Sequence, residues 1–385
     1  MVSRTLIAGG CVMRPGGEWP VGWLLIEDGC IARMGEGAAP DIPGVERIDA
    51  WGHYVLPGFI DVHVHGAVGC DTMDGSPESL VKMARFYAQH GTTAFLPTTW
   101  TESREKIMAA LEAVSEVMNR PTGGAAILGA HMEGPYISEE KRGAQDIRHV
   151  RRAGREEALA FLDTGIVRLI ALAPEYPENH WLIEEASRRG IVVSVAHTQA
   201  GPEDIARAVE LGLRQATHTF NAMIGLHHRR PGTVGAVLAE DAIMCELIAD
   251  GIHVHPLVMK LIVRAKGLDR VILITDAVNP TGLPDGDYKL EDRSIVVKDG
   301  RVLLPDGTLA GSTLTMDEGL RQIMRAASLP LAEVWPLTSR NAARQFGLDD
   351  HKGMLAEGYD ADIVLLDEDY HVRLTMVGGE IVHQA

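Results

Sequence analysis

Apolar runs of strand length recur through the middle of the chain and alternate with amphipathic stretches. The eight runs cover residues 55–65, 93–99, 125–134, 167–175, 192–198, 215–223, 244–253 and 270–278. Helical periodicity follows most of them, for example over 77–90, 102–119, 178–189, 202–211 and 257–266. Buried strands that alternate with helices indicate a parallel sheet. Eight such repeats over roughly 230 residues predict an α/β protein built on a (β/α)8, TIM-like barrel.

Both ends of the chain show short strands separated by turn residues instead. They cover 5–13, 22–27, 30–34, 45–49 and 54–56 at one end, and 361–367, 370–376 and 380–383 at the other. We expect residues 1–55 and 353–385 to pair into one small discontinuous β-sandwich domain. Residues 56–352 would then form the barrel, completed by helices over 316–328 and 339–346.

Composition narrows the class of protein and its partners. Of 385 residues, 46% are hydrophobic and 23% charged, the balance of a chain with a buried core. The net charge of −17 disfavours nucleic acid and anionic membranes as partners, so an anionic substrate needs a local cationic pocket. No run of 18 apolar residues predicts a membrane span. The four cysteines have no paired spacing, which fits a reducing, cytoplasmic setting better than a disulfide framework.

Side chains able to bind metal or move protons stand at the ends of five predicted strands. They are His63 and His65 on the first, Glu133 on the third, His197 on the fifth, His218 on the sixth and Asp276 on the eighth. A barrel places its active site at these carboxyl ends. Because strand side chains alternate, His63 and His65 face the same side and can meet one ion.

Each of these signals is weak alone and stronger in combination. A lone strand histidine is more often a hydrogen-bonded core residue, and His253 with His255 repeats the His-x-His spacing by chance. Several imidazoles and a carboxylate at one rim, without thiolates, suit zinc first and also iron, cobalt or manganese. Glu133 could bridge two divalent ions, one held with His63 and His65 and the other with His197 and His218.

Asp276 has two interpretations. An aspartate after a strand often serves as a cap or turn residue. The functional alternative is a general base that takes a proton from metal-bound water as it attacks, and then returns that proton to the leaving group.

The order of short motifs resembles a known family. Residues 56–66 (LPGFIDVHVHG), with the later strand-end residues, resemble the amidohydrolase superfamily. Residues 131–135 (HMEGP), 196–198 (AHT), 217–223 (THTFNAM), 249–253 (ADGIH), 274–276 (ITD) and 309–316 (LAGSTLTM) are similar to its deacetylases of N-acetylglucosamine 6-phosphate. The likeness spans about residues 50 to 365.

This resemblance implies a reaction and a role for each matching residue. The reaction is hydrolysis of the substrate's acetamide to glucosamine 6-phosphate and acetate. Glu133, His197 and His218 match the metal site used throughout that family. His63 and His65 match a pair that some members replace with Gln and Asn, which leaves one metal; both histidines favour two ions here. Asp276 matches the catalytic acid and base.

A basic loop supplies the candidate phosphate site. His227, His228, Arg229 and Arg230 follow one another in an otherwise acidic protein, either as phosphate donors or as a solvated loop. By resemblance, Arg229, His253, Asn221 and Ala222 bind phosphate, and Leu309 lines the acetyl pocket. The resemblance also implies that a loop arginine can reach a neighbouring subunit, which favours a homodimer. The alternative for His253, metal ligation with His255, is less favoured because both follow the seventh strand.

One position departs from the family pattern. Some members carry a histidine that polarises the substrate carbonyl where this chain has Gln145. A glutamine amide can donate a hydrogen bond but cannot carry a proton charge. We therefore expect Gln145 to contact substrate, with a second metal compensating as Lewis acid.

Three rival functions stay open at this point. They are deacetylation of another N-acetylhexosamine phosphate such as the galactosamine type, hydrolysis of a cyclic amide, and non-catalytic binding of sugar phosphates. Cyclic amidases of the superfamily often bridge their metals with a modified lysine, whereas this chain has Glu133. A pure binding module needs neither the complete ligand set nor Asp276.

Overall fold

The N-terminal segment forms five strands around a long central one. The computed structural model describes residues 4–385, so residues 1–3 of the predicted 1–55 segment lie outside the described residues. The strands are β1 (Arg4–Arg14), β2 (Gly17–Glu27), β3 (Cys30–Glu36), β4 (Glu46–Asp49) and β5 (Tyr54–Pro57). β1 pairs antiparallel with β2 and parallel with β4 and β5.

The middle of the chain closes into a parallel barrel. Its eight strands are β6 (Phe59–Val64), β9 (Thr92–Thr99), β11 (Ala130–Glu133), β12 (Val167–Leu172), β13 (Val192–Val195), β14 (Gln215–Ala216), β15 (Met244–Ile248) and β16 (Val271–Ile274). A small hairpin of β7 (Gly66–Ala67) and β8 (Cys70–Asp71) and a short extra strand, β10 (Ala126–Ile127), lie between them in the sequence. β6, β9 and β11 to β16 follow one another in parallel order. A parallel bridge between Val64 and Ala277 joins the last strand to the first.

Helices between the strands cover the barrel. They are α1 (Pro77–Gln89), α2 (Arg104–Val117), α3 (Arg155–Leu162), α4 (Pro177–Arg188), α5 (Pro202–Leu211), α6 (Gly232–Ala239), α7 (Pro256–Lys266), α8 (Met316–Ala327), α9 (Leu331–Val334) and α10 (Arg340–Gln345). Short 3₁₀ helices occur at Thr72–Asp74, Ile147–His149 and Trp335–Thr338. α1 shows why such segments start where they do: the Ser76 side chain caps its first turn, and Pro77 occupies the first helical position.

An antiparallel sheet is inserted after the last barrel strand. It comprises β17 (Gly286–Leu290), β18 (Arg293–Lys298), β19 (Arg301–Leu303) and β20 (Leu309–Ser312). The sequence did not predict it, because these strands are short and carry alternating charged residues on an exposed face. β20 brings Leu309 to the carboxyl rim of the barrel.

The C-terminal strands return to the N-terminal sheet. β21 (Ile363–Leu366), β22 (Val372–Val377) and β23 (Glu380–Gln384) extend it, with β21 antiparallel to β5. The predicted architecture, a (β/α)8 barrel with a small β-domain drawn from both termini, is therefore confirmed. Among the described residues, none of the helices has the length and apolar character needed to cross a membrane.

The predicted start of one barrel strand is wrong, although the terminal strand predicted over 54–56 is confirmed as part of β5. The apolar run 55–65 contains two strands in different sheets, β5 in the terminal sheet and β6 in the barrel. The break falls at Gly58, where a Cβ atom would lie 2.1 Å from Oγ1 of Thr93. Glycine permits this close approach, and hydropathy alone does not report it.

The barrel interior changes character along its axis. Ile60, Val62, Leu96 and Ile274 form an apolar cluster inside the barrel, which Phe346 after α10 also joins. Towards the carboxyl ends of the strands the buried side chains become polar, with His63, Glu133 and Glu246 among them. Burying such groups is unfavourable unless they are paired, so this end of the barrel is the candidate site.

Candidate functional site

The structure brings the six strand-end side chains together at one rim of the barrel. His63 lies on β6 and His65 directly follows it, while Glu133 is the last residue of β11. Three others stand two residues beyond their strands: His197 after β13, His218 after β14 and Asp276 after β16. All six are buried. His63 and Asp276, which are 213 positions apart in the sequence, thus meet in one cluster.

The first group consists of His63, His65 and Glu133. The Nε2 atoms of the two histidines lie 3.3 Å apart. Glu133 Oε2 lies 3.3 Å from His65 Nε2, and Glu133 Oε1 lies 3.6 Å from His63 Nε2. One ligand atom from each residue lies within 4.8 Å of the others, close enough to surround a single cation.

The second group consists of Glu133, His197 and His218. Glu133 Oε1 lies 3.1 Å from His197 Nε2 and 2.9 Å from His218 Nε2, and these two nitrogens are 3.2 Å apart. Their ligand atoms also lie within 4.8 Å of one another. Because Glu133 belongs to both groups, its carboxylate stands where a bridging ligand would.

Unusual backbone conformations occur at three of the six residues, each just beyond its strand. His197, His218 and Asp276 have φ angles of 44°, 30° and 51°. Non-glycine residues rarely adopt positive φ, and each such residue costs on the order of 1–3 kcal/mol unless its surroundings enforce it. The turn after each strand directs these side chains back over the barrel mouth.

The charges in the cluster suit a divalent metal. Within residues 4–385, neither Lys nor Arg forms an ion pair with Glu133 or Asp276, whose ion-pair partners there are histidines. Burial would lower the pKa of His63, but Asp276, Glu133 and Glu246 together outweigh it and raise that pKa to about 10. Burial would raise the pKa of Glu133, yet the nearby imidazoles hold it well below its ordinary value. The carboxylates are thus stabilised by neighbouring positive charge, which a bound cation can also supply.

Asp276 stands between the cluster and the open space above it. Its Oδ1 lies 3.4 Å from His63 Nε2 and 3.3 Å from His65 Nε2. Burial would raise the pKa of Asp276, but His63 and His65 lower it below the ordinary value. The carboxylate form therefore predominates at neutral pH, as a general base requires.

A cavity of about 210 Å³ opens above the cluster. Five of the six predicted substrate-binding residues line it: Gln145, Asn221, Ala222, His253 and Leu309. The sixth, Arg229, lies in an exposed loop and contacts Nε2 of His228 at 2.7 Å. The structure of one chain therefore does not bring Arg229 to the cavity.

Hydrogen bonds fix two of the lining residues. Gln145 Nε2 donates to Glu133 Oε2 at 2.6 Å, and Gln145 Oε1 accepts from the Thr101 backbone N–H at 2.7 Å. Its amide is thus oriented by Glu133 at the edge of the cavity. Asp250 Oδ2 lies 2.6 Å from His253 Nδ1, which orients that imidazole.

Two residues at the site were missed from the sequence. Trp100 follows β9 directly and stacks on His65, with ring centroids 3.9 Å apart and planes 19° apart. Its strand-end position was an available signal. Glu246 lies inside β15 and contacts His63 Nδ1 at 3.1 Å. A lone carboxylate within the apolar run 243–249 was the only hint of its role.

Comparison with known proteins identifies relatives along almost the whole chain. Residues 54–382 match the amidohydrolase family. N-acetylglucosamine-6-phosphate deacetylase of Bacillus subtilis is 39% identical, over 94% of this chain and 92% of the relative. N-acetylgalactosamine-6-phosphate deacetylase of Escherichia coli O157:H7 is 37% identical, over 94% of this chain and 96% of the relative.

A solved structure shows the same architecture. It is a mutant N-acetyl-D-glucosamine-6-phosphate deacetylase of Mycobacterium smegmatis in complex with N-acetyl-D-glucosamine-6-phosphate. The TM-score is 0.93 at 30% identity, and the alignment covers 99% of each chain.

Proposed function

This chain belongs to the amidohydrolase family, and from that premise we propose that it hydrolyses N-acetyl-D-glucosamine 6-phosphate to D-glucosamine 6-phosphate and acetate. The protein is an amide hydrolase. The observation that carries this function is Glu133, whose two oxygens contact both histidine pairs beneath a cavity at the barrel mouth. A sugar-binding module without catalysis has no need for that arrangement.

The two groups fit divalent metal ions. Glu133, His197 and His218 would hold one ion, and His63 and His65 with Glu133 a second. When bound, such a cation supplies a water of pKa about 7 and polarises the acetyl carbonyl. Imidazole and carboxylate ligands without thiolate favour zinc, and they also suit iron, cobalt and manganese.

Asp276 moves the proton in this proposal. Its carboxylate borders the cavity and is deprotonated at neutral pH, so it can accept a proton from the attacking water. The same group then returns the proton to the nitrogen of the departing amino sugar. One residue thereby acts as base and as acid.

The lining residues orient the sugar phosphate. Leu309 supplies an apolar contact for the acetyl methyl group, and Gln145 holds Glu133 at the cavity edge. Asn221, Ala222 and His253 face the phosphate end. Arg229 lies outside the cavity of its own chain, so we assign it to the phosphate of a neighbouring subunit's site in a homodimer. The net charge of −17 and a metabolic substrate fit a cytoplasmic enzyme.

Acetate release from a panel of N-acetylhexosamines tests the function. The panel contains N-acetylglucosamine 6-phosphate, N-acetylgalactosamine 6-phosphate and unphosphorylated N-acetylglucosamine, assayed on protein of measured metal content. We expect the highest kcat/KM for the first and the lowest for the last. Preference for the galactosamine compound would transfer the assignment to that epimer, and no acetate from any of them would refute deacetylation.

A further inference from the structure

Glu246 is a buried carboxylate that the proposed reaction does not use. It lies inside β15 and is fully buried. Its Oε1 accepts a hydrogen bond from Gln215 Nε2 at 2.5 Å. Its Oε2 accepts one from the His218 backbone N–H at 3.2 Å and lies 3.1 Å from His63 Nδ1. In the described part of the chain, the only ion-pair partner of Glu246 is His63.

The contact with His63 determines which ring nitrogen carries the proton. His63 Nε2 points into the cluster, towards His65 Nε2 at 3.3 Å and Asp276 Oδ1 at 3.4 Å. A carboxylate beside Nδ1 accepts a hydrogen bond from it, so the proton of the neutral imidazole resides on Nδ1. The lone pair of Nε2 is then available to a cation, and the carboxylate increases its basicity.

The other three histidines lack such a partner. His197 Nδ1 faces the backbone carbonyl of Lys141 at 2.9 Å. The Nδ1 atoms of His65 and His218 are buried and have no hydrogen-bond partner within residues 4–385. Glu246 is therefore the one carboxylate, over this range, that orients a histidine of the cluster from outside.

We propose that Glu246 is a positioning residue that makes the group of His63, His65 and Glu133 competent to hold a metal ion. Gln215 and the His218 backbone fix the carboxylate, and the carboxylate fixes the tautomer and orientation of His63. The inference rests on the proposed function only in that it assigns a metal to this group. It goes further because it names Glu246 as the residue on which metal binding by His63, His65 and Glu133 depends.

Metal titration of Glu246→Gln tests the inference. Metal-depleted protein is titrated with Zn²⁺ and followed by isothermal calorimetry and by metal analysis after dialysis. We expect wild type to bind two ions, and Glu246→Gln to bind one of them about 10- to 100-fold more weakly, the typical effect of removing an orienting partner of a metal ligand. The second ion should bind as in wild type.

Glu102→Gln provides the matched control. Glu102 is also a buried glutamate, but it pairs with Lys106 and His149 away from the cluster. This variant should bind two ions with wild-type affinities. The inference is overturned if Glu246→Gln does the same, or if wild type itself binds only one ion.

A second measurement reads the tautomer in the wild-type protein and so does not depend on how Glu246→Gln folds. Long-range ¹H–¹⁵N correlation spectra of ¹⁵N-histidine-labelled, zinc-loaded protein distinguish the two neutral imidazole tautomers. We expect the Nδ1–H form for His63, assigned by its disappearance in His63→Gln. The Nε2–H form would overturn the inference.

The two proposals can fail separately. In one outcome, wild type binds two ions, Glu246→Gln binds one of them more weakly, and no substrate of the panel releases acetate. That result would refute the deacetylase activity but support the role of Glu246. A protein that deacetylates the sugar phosphate but keeps both ions in Glu246→Gln would do the reverse.

Discussion

The two histidine pairs that flank Glu133 are built by different means. His63 and His65 use the simple alternation of an extended strand, and both are completely buried. His197 and His218 stand beyond short strands at positive φ, and both border the cavity. Glu246 contacts His63 of the first pair, and Trp100 stacks on His65. Positive φ angles occur instead at His197 and His218, beside the cavity, so we expect the second pair to have the more direct part in the reaction.

Glu133 belongs to both pairs, so its loss should have the largest effect. Glu133→Gln removes the charge that both groups share. We expect both ions to be lost and acetate release to fall by about four orders of magnitude, since a water of pKa about 7 would no longer be available. Near-normal turnover, or two ions still bound, would show that the Glu133 carboxylate is not a ligand required by both ions.

Loss of Asp276 should affect chemistry more than metal binding. Asp276→Asn keeps the shape of the side chain but removes the proton acceptor. We expect kcat to fall by about 10²- to 10⁴-fold while the metal content stays largely unchanged. Rate measurements on protein of known metal content check this, and a variant with wild-type kcat would end the proposed role.

Substitutions confined to one pair test whether the two pairs contribute equally to turnover. The double change of His63→Gln and His65→Asn should leave one ion and reduce kcat/KM by only about 10- to 100-fold. His218→Asn alone should lower it by about 10³-fold, because that residue borders the cavity beside Glu133. Equal losses in the two variants would show that the pairs contribute alike.

Arg229 should act on binding and not on the chemical step. Removal of a charged hydrogen bond to phosphate costs about 1.5–3 kcal/mol. We therefore expect Arg229→Ala to raise KM for the phosphorylated sugar by about 10- to 100-fold with kcat little changed. If discrimination against unphosphorylated N-acetylglucosamine were the same as in wild type, the phosphate assignment would be wrong.

Asp317 shows what a buried carboxylate with ordinary cationic partners does. It lies 3.0 Å from Arg321 Nη2 and 3.1 Å from His90 Nδ1. Burial would raise the pKa of Asp317, but these partners lower it to about 2. A lowered pKa in the folded state stabilises the protein above pH about 4, and this contribution disappears as pH falls towards 2.

Asp317→Asn should therefore affect stability and leave catalysis unchanged. We expect the free energy of unfolding to decrease by about 2 kcal/mol at pH 7 and by less at pH 3, with turnover at pH 7 as in wild type. Urea unfolding at the two pH values measures this. An equal decrease at both would show that the charge of Asp317 contributes nothing.

The sequence predicted the barrel because its strands are continuous apolar runs and its helices have clear periodicity. The bounds of α5 match the prediction, whereas the insertion of β17 to β20 was missed because its short strands expose charged residues. The break at Gly58 was also invisible, since it depends on contact with Thr93.

The candidate site was predictable for a related reason. Parallel strands bring their carboxyl ends to one rim, so residues at those positions could be grouped from the sequence alone. Glu246 could not be placed in this way, because it lies inside β15 and not beyond its carboxyl end. The exposed position of Arg229 likewise depends on how its loop folds.

Anomalous diffraction at the zinc edge, from crystals of the zinc-loaded protein, tests whether Glu133 lies between two metal ions. We expect two peaks, one among His63, His65 and Glu133 and one among Glu133, His197 and His218. The absence of any anomalous peak within coordinating distance of Glu133 would contradict this expectation.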